Sequence, residues 1–266
     1  MNAQRLATSL AICLLAPSAH AGAWYEGFFF RAGGLALVPA STSSPVTLSN
    51  VTGTAKLAVS NGPIAGSGSG VGAVGLPAVS IGFRFWDQLS VETILAIPPT
   101  LTLTATGTMA TQPLALYALG NLPTGVPALG TDLGTTKVFP PIVTFTYRFF
   151  PDSMFRPYLG LGGSLLVSYD TQITNPILTS VHPVTLSLPA KAGWVVQAGL
   201  DVKLYQQLFL TLDAKYIGGM DMDVSMTNLD VQIPGLPLYG TAHVGDATVH
   251  VSINPFVFQA GVGWNF

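Results

Sequence analysis

The last twenty residues, ATVHVSINPFVFQAGVGWNF from Ala247 to Phe266, constrain the fold of this chain more than any other stretch. One face of an extended strand there is apolar, with Phe256, Phe258, Ala260, Val262, Trp264 and Phe266, whereas the other carries Gln259, Gly261, Gly263 and Asn265. Because no segment follows Phe266 to cover the apolar face, we expect lipid to cover it. Only helices and closed barrels satisfy their backbone polar groups in lipid, so the stretch favours a barrel strand. A core strand of a β-sandwich shows the same pattern and stays an alternative at this point.

The composition also favours a membrane barrel. Charged residues make up 8% of the chain and hydrophobic residues 49%, whereas roughly a quarter of an ordinary soluble domain is charged. The net charge of −2 and the lack of a basic run argue against a nucleic-acid partner. After residue 21 no apolar run of about eighteen residues is free of Gly, Pro and polar interruptions, so we expect membrane-spanning strands rather than helices.

The amino terminus has the pattern of a secretory signal peptide over residues 1–21, followed by a barrel domain over residues 22–266. Arg5 supplies the positive charge, Leu6 to Leu15 the apolar core, and Ala19-His20-Ala21 the cleavage site. Cys13 is the only cysteine, and cleavage removes it, so the exported chain cannot be a disulfide scaffold. Lipidation of Cys13 is an alternative, but the bulky Ile12 and the continuing apolar run argue against it.

Period-2 alternation predicts eight strands. Their predicted ranges are 26–38, 78–86, 89–97, 141–149, 155–170, 192–204, 208–224 and 247–266. The connections alternate strictly between long and short, and the first is long, as in bacterial outer-membrane barrels with short periplasmic turns and longer extracellular loops. We therefore predict an all-β fold, an eight-stranded antiparallel transmembrane β-barrel with four long extracellular loops and short periplasmic turns, in the outer membrane of a Gram-negative bacterium.

Several segments resemble the outer-membrane protein W (OmpW/AlkL) family. They are FFFRAGGLALVP (28–39), FWDQLSVETILAIPP (85–99), FPPIVTFTYRF (139–149), FRPYLGLG (155–162) and INPFVFQAGVGWNF (253–266). The resemblance implies an eight-stranded barrel associated with the passage of small hydrophobic molecules. It further implies a lumen open to the outside and blocked below, with a lateral exit through the barrel wall. The four long connections are poor in charge and do not share in the resemblance.

Strand parity places an unusual set of charges inside the barrel, mostly near the periplasmic ends. They are Arg31, Arg84, Glu92, Arg148, Arg156, Asp201, Lys203, Asp213 and Lys215. An eight-stranded barrel is only just wide enough to be filled by its own side chains, and charges removed from water must be paired. We therefore predict a charged plug in the lower barrel. A purely structural role for each of these charges is the alternative.

Parity predicts an apolar upper lumen, lined by Leu35, Leu37, Ile94, Val249, Val251, Ile253 and Val257. A polar solute would lose its water there, whereas an apolar solute could bind. A bulge near Asn254-Pro255 would instead turn the valines of the last strand towards lipid, and that alternative stays open.

Prolines cluster near the upper strand ends, at Pro98, Pro99, Pro140, Pro141 and Pro255. Each removes one backbone donor from a ladder, so together they could leave a lateral gap in the barrel wall. Rigid loops are the alternative explanation for these prolines.

The sequence lacks the marks of catalysis. His243, Asp246 and His250 lie close together and His182 lies apart, but no nucleophile-elbow or metal-ligand signature frames them. The glycine-rich stretch from Gly66 to Gly75 lacks the lysine of a phosphate loop and is interpreted as a flexible connection. We expect no enzyme activity, no cofactor and no metal.

Two functions follow from these features. The first is passive uptake of small hydrophobic molecules through the apolar upper lumen, with lateral exit into the membrane. The second is a structural or surface-interaction barrel, for reception or adhesion, with no transport. The expected partners are outer-membrane lipid, small hydrophobic solutes and the barrel-assembly machinery through the carboxy-terminal Phe266, and the barrel is expected to be a monomer.

Overall fold

The computed structural model describes residues 27–116, 119–235 and 240–266. Eight strands form its barrel: β1 (Phe28–Val38), β2 (Val74–Arg84), β3 (Leu89–Ala96), β4 (Ile142–Arg148), β5 (Phe155–Ile173), β6 (Lys191–Lys203), β7 (Leu208–Gly218) and β8 (Phe256–Asn265). The predicted signal peptide and Cys13 lie outside the described residues. Within the described part of the chain, no helix is both long and apolar enough to cross a membrane.

The barrel closes because β8 pairs with both β1 and β7. Phe29 lies opposite Asn265 and Val38 opposite Phe256 at the two ends of the β1–β8 ladder, and β8 also pairs antiparallel with β7. Every other neighbouring pair is antiparallel as well. Closure leaves no open sheet edge, which is the condition for crossing lipid with strands. The predicted eight-stranded antiparallel barrel is confirmed.

Several predicted strand ends need correction. β2 begins at Val74 rather than at residue 78, and β7 ends at Gly218 rather than at residue 224. Gly219 then adopts a φ of 82°, a conformation that favours glycine, and the chain leaves the barrel. The predicted last strand is divided at Asn254-Pro255, so that β8 itself begins at Phe256. A proline cannot donate to the ladder, which explains the division at that position.

The short connections at one end of the barrel are residues 85–88, 149–154 and 204–207. The long ones at the other end are loops L1 (39–73), L2 (97–141), L3 (174–190) and L4 (219–255). The described parts of these loops contain the strands Ser41–Ser43, Thr47–Ser49, Gly62–Pro63, Ser67–Val71, Thr100–Gly107, Ala115–Leu116, Leu122–Pro123, Asp132–Phe139, Thr185–Ser187, Asp221–Gln232 and Thr241–Ile253. They also contain a 3-10 helix, Gly53–Leu57, and a short α-helix, Thr108–Thr111.

The long loops are folded against each other. The two strands of L4 pair as a hairpin, which L3 joins through Thr185–Ser187 on one side and L1 through Ser41–Ser43 and Thr47–Ser49 on the other. In L2, Asp132–Phe139 pairs with Thr100–Gly107 and with the upper part of β5. The loops therefore build a folded cap above the barrel. The sequence analysis predicted them only as long connections and did not predict this cap.

The interior has three levels. Buried charged side chains fill the lower barrel. Above them lies an apolar cluster that includes Leu35, Ile94, Val195, Ile217 and Val257. A second apolar cluster lies within the cap and takes residues from all four loops.

Candidate functional site

The lower barrel contains an ion-pair network of six buried side chains, Arg31, Glu92, Arg148, Asp201, Asp213 and Lys215. Parity brings them inward from β1, β3, β4, β6 and β7. Three are positive and three are negative, so their formal charges cancel. This balance satisfies the rule that charges removed from water must be paired.

Arg31 is the centre of one half of this network. Its guanidinium contacts the Glu92 carboxylate and lies 3.1 Å from Asp201, whose same oxygen accepts from Arg148 at 2.8 Å. The guanidinium also lies over aromatic rings, 4.7 Å from the centroid of Phe29 and 4.9 Å from that of Tyr158. Arg31 is therefore held by charge and by cation–π contact at once.

Lys215 is the centre of the other half. Its ammonium lies 2.5 Å from Asp213 and 3.2 Å from Glu92. The Gln197 amide donates to both carboxylates at 2.6 Å, and the Tyr158 hydroxyl donates to Asp213 at 2.7 Å. Glu92 joins the two halves, so the contacts form one continuous network across the barrel.

Three glycines make room for the rings around Arg31. A Cβ on Gly82 would collide with the Phe29 ring, one on Gly199 with the Tyr158 ring, and one on Gly263 with the Phe209 ring. The Phe209 ring centroid lies 5.9 Å from the guanidinium carbon of Arg31. The sequence analysis did not predict these contacts between glycines and aromatic rings, although the inward parity of each glycine is visible in the sequence.

The predicted plug needs three corrections. Lys203 is exposed at the lower rim, because a long side chain near a strand end can extend its charge into water. Arg156 is partly exposed and donates to the Ser153 carbonyl at 2.9 Å. Arg84 is half-buried and donates to Asn265 at 3.0 Å. These three residues lie at the lower rim, outside the ion-pair network.

The interior above the network is apolar. Leu35, Leu37, Ile94 and Val257 are buried in one cluster. Val195 and Ile217 belong to the same cluster and were missed by sequence reasoning, although they share the parity of Gln197 and Lys215.

Parity is unbroken across Asn254-Pro255. Val251 is buried and Phe256 is exposed, which is the alternation that continues along β8. Val249, Val251, Ile253 and Pro255 line one cavity together with Leu37. The structure therefore places the valines of L4 on the inside rather than towards lipid.

Three cavities follow one another from the cap to the barrel wall. The outer chamber, of about 420 Å³, lies among the four loops. The middle cavity, of about 90 Å³, shares Ser69, Leu133 and Val249 with it. The wall cavity, of about 30 Å³, shares Leu37 and Pro140 with the middle cavity. None of the described residues that line the three cavities carries a charge, and Phe139 is the one aromatic residue among them.

The wall cavity lies where the ladder between β3 and β4 is interrupted. Barrel pairing between these strands ends at Thr93 and Val143. Hydrogen bonding resumes where the Val138 amide donates to the Pro99 carbonyl at 3.1 Å, and the ladder continues in L2 from Thr100 and Lys137. Pro98, Pro99, Pro140 and Pro141 flank this interval, and all but Pro141 line the wall cavity. Pro255 lies elsewhere, because its carbonyl accepts from Ile217 at 3.0 Å and its ring lines the middle cavity.

The model of the OmpW family matches residues 26–266. The chain belongs to the OmpW family. Members of this family are Gram-negative outer-membrane barrels, and membership supports a small-molecule channel role in general terms. The fold of the family is generally non-enzymatic.

Three solved structures of outer-membrane proteins are similar to this OmpW-family barrel, and OprG is the one that supports the fold. OprG from Pseudomonas aeruginosa is 19% identical, with a TM-score of 0.68 over 91% of this chain and 96% of OprG. Outer membrane protein AlkL, solved in DMPC bilayers, is 14% identical, with a TM-score of 0.49 over 94% of this chain and 95% of AlkL. OmpW from E. coli is 21% identical, with a TM-score of 0.44 over 91% of this chain and 98% of that protein. A comparison with curated proteins gives no match.

The three histidines in the described part of this OmpW-family barrel lie in its cap. His182 and His243 both contact Asp230, at 3.0 and 2.8 Å, and they line a polar pocket of about 460 Å³ with Asp246. His250 is separate and contacts Asp223 at 2.8 Å. Across the part of the chain that the structure describes, no group of three or more His, Cys, Asp or Glu side chains is arranged to hold a metal ion.

Proposed function

We propose that this barrel takes up small hydrophobic molecules passively. A solute enters the outer chamber, passes the middle cavity and leaves through the wall between β3 and β4 into the membrane. The observation that carries the proposal is the uncharged, predominantly apolar lining of three adjoining cavities, which ends where the ladder between β3 and β4 is interrupted.

The apolar lining of the three cavities selects between solutes, because each solute must leave water to enter. An apolar molecule gains roughly 25 cal/mol for each Å² of surface that it removes from water. An unpaired hydroxyl or amide instead costs about 1–3 kcal/mol on the scale of protein mutations, and an ion costs far more. Sugars and ions are therefore disfavoured along this route, whereas an alkane-like solute is favoured.

The ion-pair network directs the solute sideways. Continuing down the lumen would require separation of contacts such as Arg31–Asp201 and Lys215–Glu92 in a buried environment. Breaking one buried pair by removing a partner costs about 3–5 kcal/mol. An apolar solute offers nothing to replace those contacts, so the membrane is its lower-energy destination.

The wall must move for exit. A volume of 30 Å³ is close to the share that one water molecule occupies in the liquid, so the wall cavity is too small for an alkane at rest. The prolines that flank it reduce the number of backbone hydrogen bonds that must break. Phe139 and Ile97 are exposed there, and displacement of these side chains would widen the exit.

The barrel as a whole acts without catalysis, as a monomer in outer-membrane lipid. Phe266 presents the strand end to the barrel-assembly machinery, and its backbone amide donates to the Phe28 carbonyl at 3.0 Å, which holds the last residue at the lower rim.

Uptake in a permeability-deficient bacterial host tests this function, with a medium-chain alkane compared with a small sugar. We expect the wild-type barrel to speed alkane entry and leave sugar entry unchanged. Val251→Asp should reduce alkane entry about tenfold or more, because a carboxylate in the buried route costs several kcal/mol. Leu122→Asp is the matched control, since Leu122 is exposed, lies outside L3 and lines none of the three cavities.

Two results would contradict the proposal. Faster sugar entry would mean that the lower barrel is open. Equal alkane entry with wild-type and Val251→Asp barrels, both shown to be folded in the membrane, would favour the structural or surface-interaction role.

A further inference from the structure

The histidine pairs of the cap differ in what they connect. Asp223 lies opposite His250, and Asp230 opposite His243, as cross-strand pairs of the L4 hairpin. His182 comes instead from L3 and reaches the second carboxylate oxygen of Asp230. The contact between His182 and Asp230 is therefore a link between two loops, whereas the contact between His250 and Asp223 lies within one hairpin.

The segment of L3 that carries His182 covers the outer chamber. Ile177 and Leu178 from this segment line the chamber. Asn175 holds its beginning, because its side-chain amide donates to the carbonyls of Leu129 and Asp132 in L2. Thr185–Ser187 holds its end by pairing with L4. Between these anchors, the Ser180 hydroxyl and His182 make hydrogen bonds with L4, and Leu178 packs in one apolar cluster with Leu229.

The L4 hairpin separates a polar side from an apolar side. Leu229 and Val231 line the outer chamber, whereas Asn228 and Asp230, on the alternate positions, line the polar pocket. Asp230 therefore lies on the same strand as the chamber-lining Leu229 and Val231, on its opposite face. The described part of L4 contains aspartates and histidines but neither lysine nor arginine.

We propose that protonation of His182 fastens L3 onto L4 at Asp230, and that loss of this proton loosens L3 over the outer chamber. The charged and titratable side chains that line the polar pocket are His182, Asp230, His243 and Asp246. Protonation of His182 places a positive charge beside the Asp230 carboxylate, at 3.0 Å, and loss of that proton removes the charge. The Asp246 carboxylate accepts a hydrogen bond from the Asn50 side-chain amide at 2.7 Å.

The pH direction follows from the contacts of His182. Its hydrogen bond with Asp230, followed by that with the Pro183 carbonyl, raises the pKa of His182 above the ordinary value. Burial acts to raise the pKa of Asp230, but hydrogen bonds from His243 and His182 outweigh it and lower that pKa. A raised histidine pKa gives stability that is fully present below about pH 6.5 and is lost as the pH rises through the raised value.

Hydrogen exchange at pH 5.5 and 8.5, expressed as protection factors for residues 176–182, tests the fastening directly. We expect protection to fall about threefold at the higher pH in the wild-type barrel, the size typical of an exposed ion pair. His182→Gln should abolish this pH dependence. His250→Gln is the matched control and should retain it, because His250 does not contact L3. Equal protection at both pH values, or pH dependence that persists in His182→Gln, would overturn the proposal.

The consequence for transport rests on the proposed function: looser L3 should admit alkane about threefold faster at pH 8.5 than at pH 5.5. Alkane uptake that is absent at both pH values would refute the uptake function, while the exchange measurement would still decide the fastening. Uptake that is present but independent of pH, together with pH-dependent protection, would show that fastening does not control entry.

Discussion

The ion-pair network and the outer chamber are both interior regions built from residues distant in sequence, but the network is charged and the chamber is apolar. The network lies within the closed barrel, where strand pairing fixes the position of each charge and every charge has an opposite partner. The chamber lies outside the barrel, among loops that assemble their own sheet and contribute aliphatic side chains. The comparison indicates that specific polar contacts hold the lower interior together, whereas apolar packing among the loops holds the upper one together.

Removal of Arg31 should have the largest effect on this contrast. Arg31→Leu leaves Glu92 and Asp201 short of a buried partner, and we expect it to lower the free energy of unfolding by about 3–5 kcal/mol. Urea unfolding of the refolded barrel in lipid or detergent measures the change.

Lys203→Leu is the matched control for Arg31→Leu. Both residues have inward parity, but Lys203 is exposed, so its replacement should stay within about 0.5 kcal/mol. Equal losses in the two variants would mean that the network contributes no more than a surface charge.

Adding a methyl group at a glycine that contacts one of these rings should lower the free energy of unfolding by less than the loss of Arg31. Gly199→Ala places a methyl group against the Tyr158 ring, and we expect overpacking to cost about 1–3 kcal/mol in urea unfolding. Gly34→Ala is the control, because a Cβ there meets no atom within 4 Å. If Gly199→Ala proved as mild as Gly34→Ala, the rings around Arg31 would be more loosely packed than these contacts indicate.

The sequence was sufficient to predict which face each barrel residue occupies. Period-2 alternation assigned Phe256 and Phe258 to lipid and Gln259 to the interior, and the structure agrees. Parity identifies a face but does not give the burial or the partner of a side chain. For that reason Lys203 and Arg156 were grouped with Asp201 and Arg148, although Lys203 is exposed and Arg156 donates to the Ser153 carbonyl instead.

Partners and loop structure could not be predicted from the same pattern. Arg31 and Asp201 are 170 residues apart, and their contact depends on the register of several intervening ladders. The prediction assigned the two ends of the L4 hairpin to barrel strands, as parts of a strand over 208–224 and a strand over 247–266. Alternation continues through Gly219 and Pro255, so the pattern does not mark where the chain leaves the barrel. The link from His182 to Asp230 joins two loops and has no local signal.

The smallest effect is expected from an exposed ion pair at the upper end of the barrel, which has the same chemistry as the network in a different environment. Lys137 lies 2.6 Å from Asp170, and both side chains are 43% exposed. Water already solvates both charges, so removing one partner leaves no unpaired buried charge. We expect Lys137→Gln to leave the urea midpoint unchanged within error. A loss comparable with that of Arg31→Leu would show that the L2–β5 pairing depends on this contact, and that the upper end of the barrel is as dependent on ion pairs as the lower.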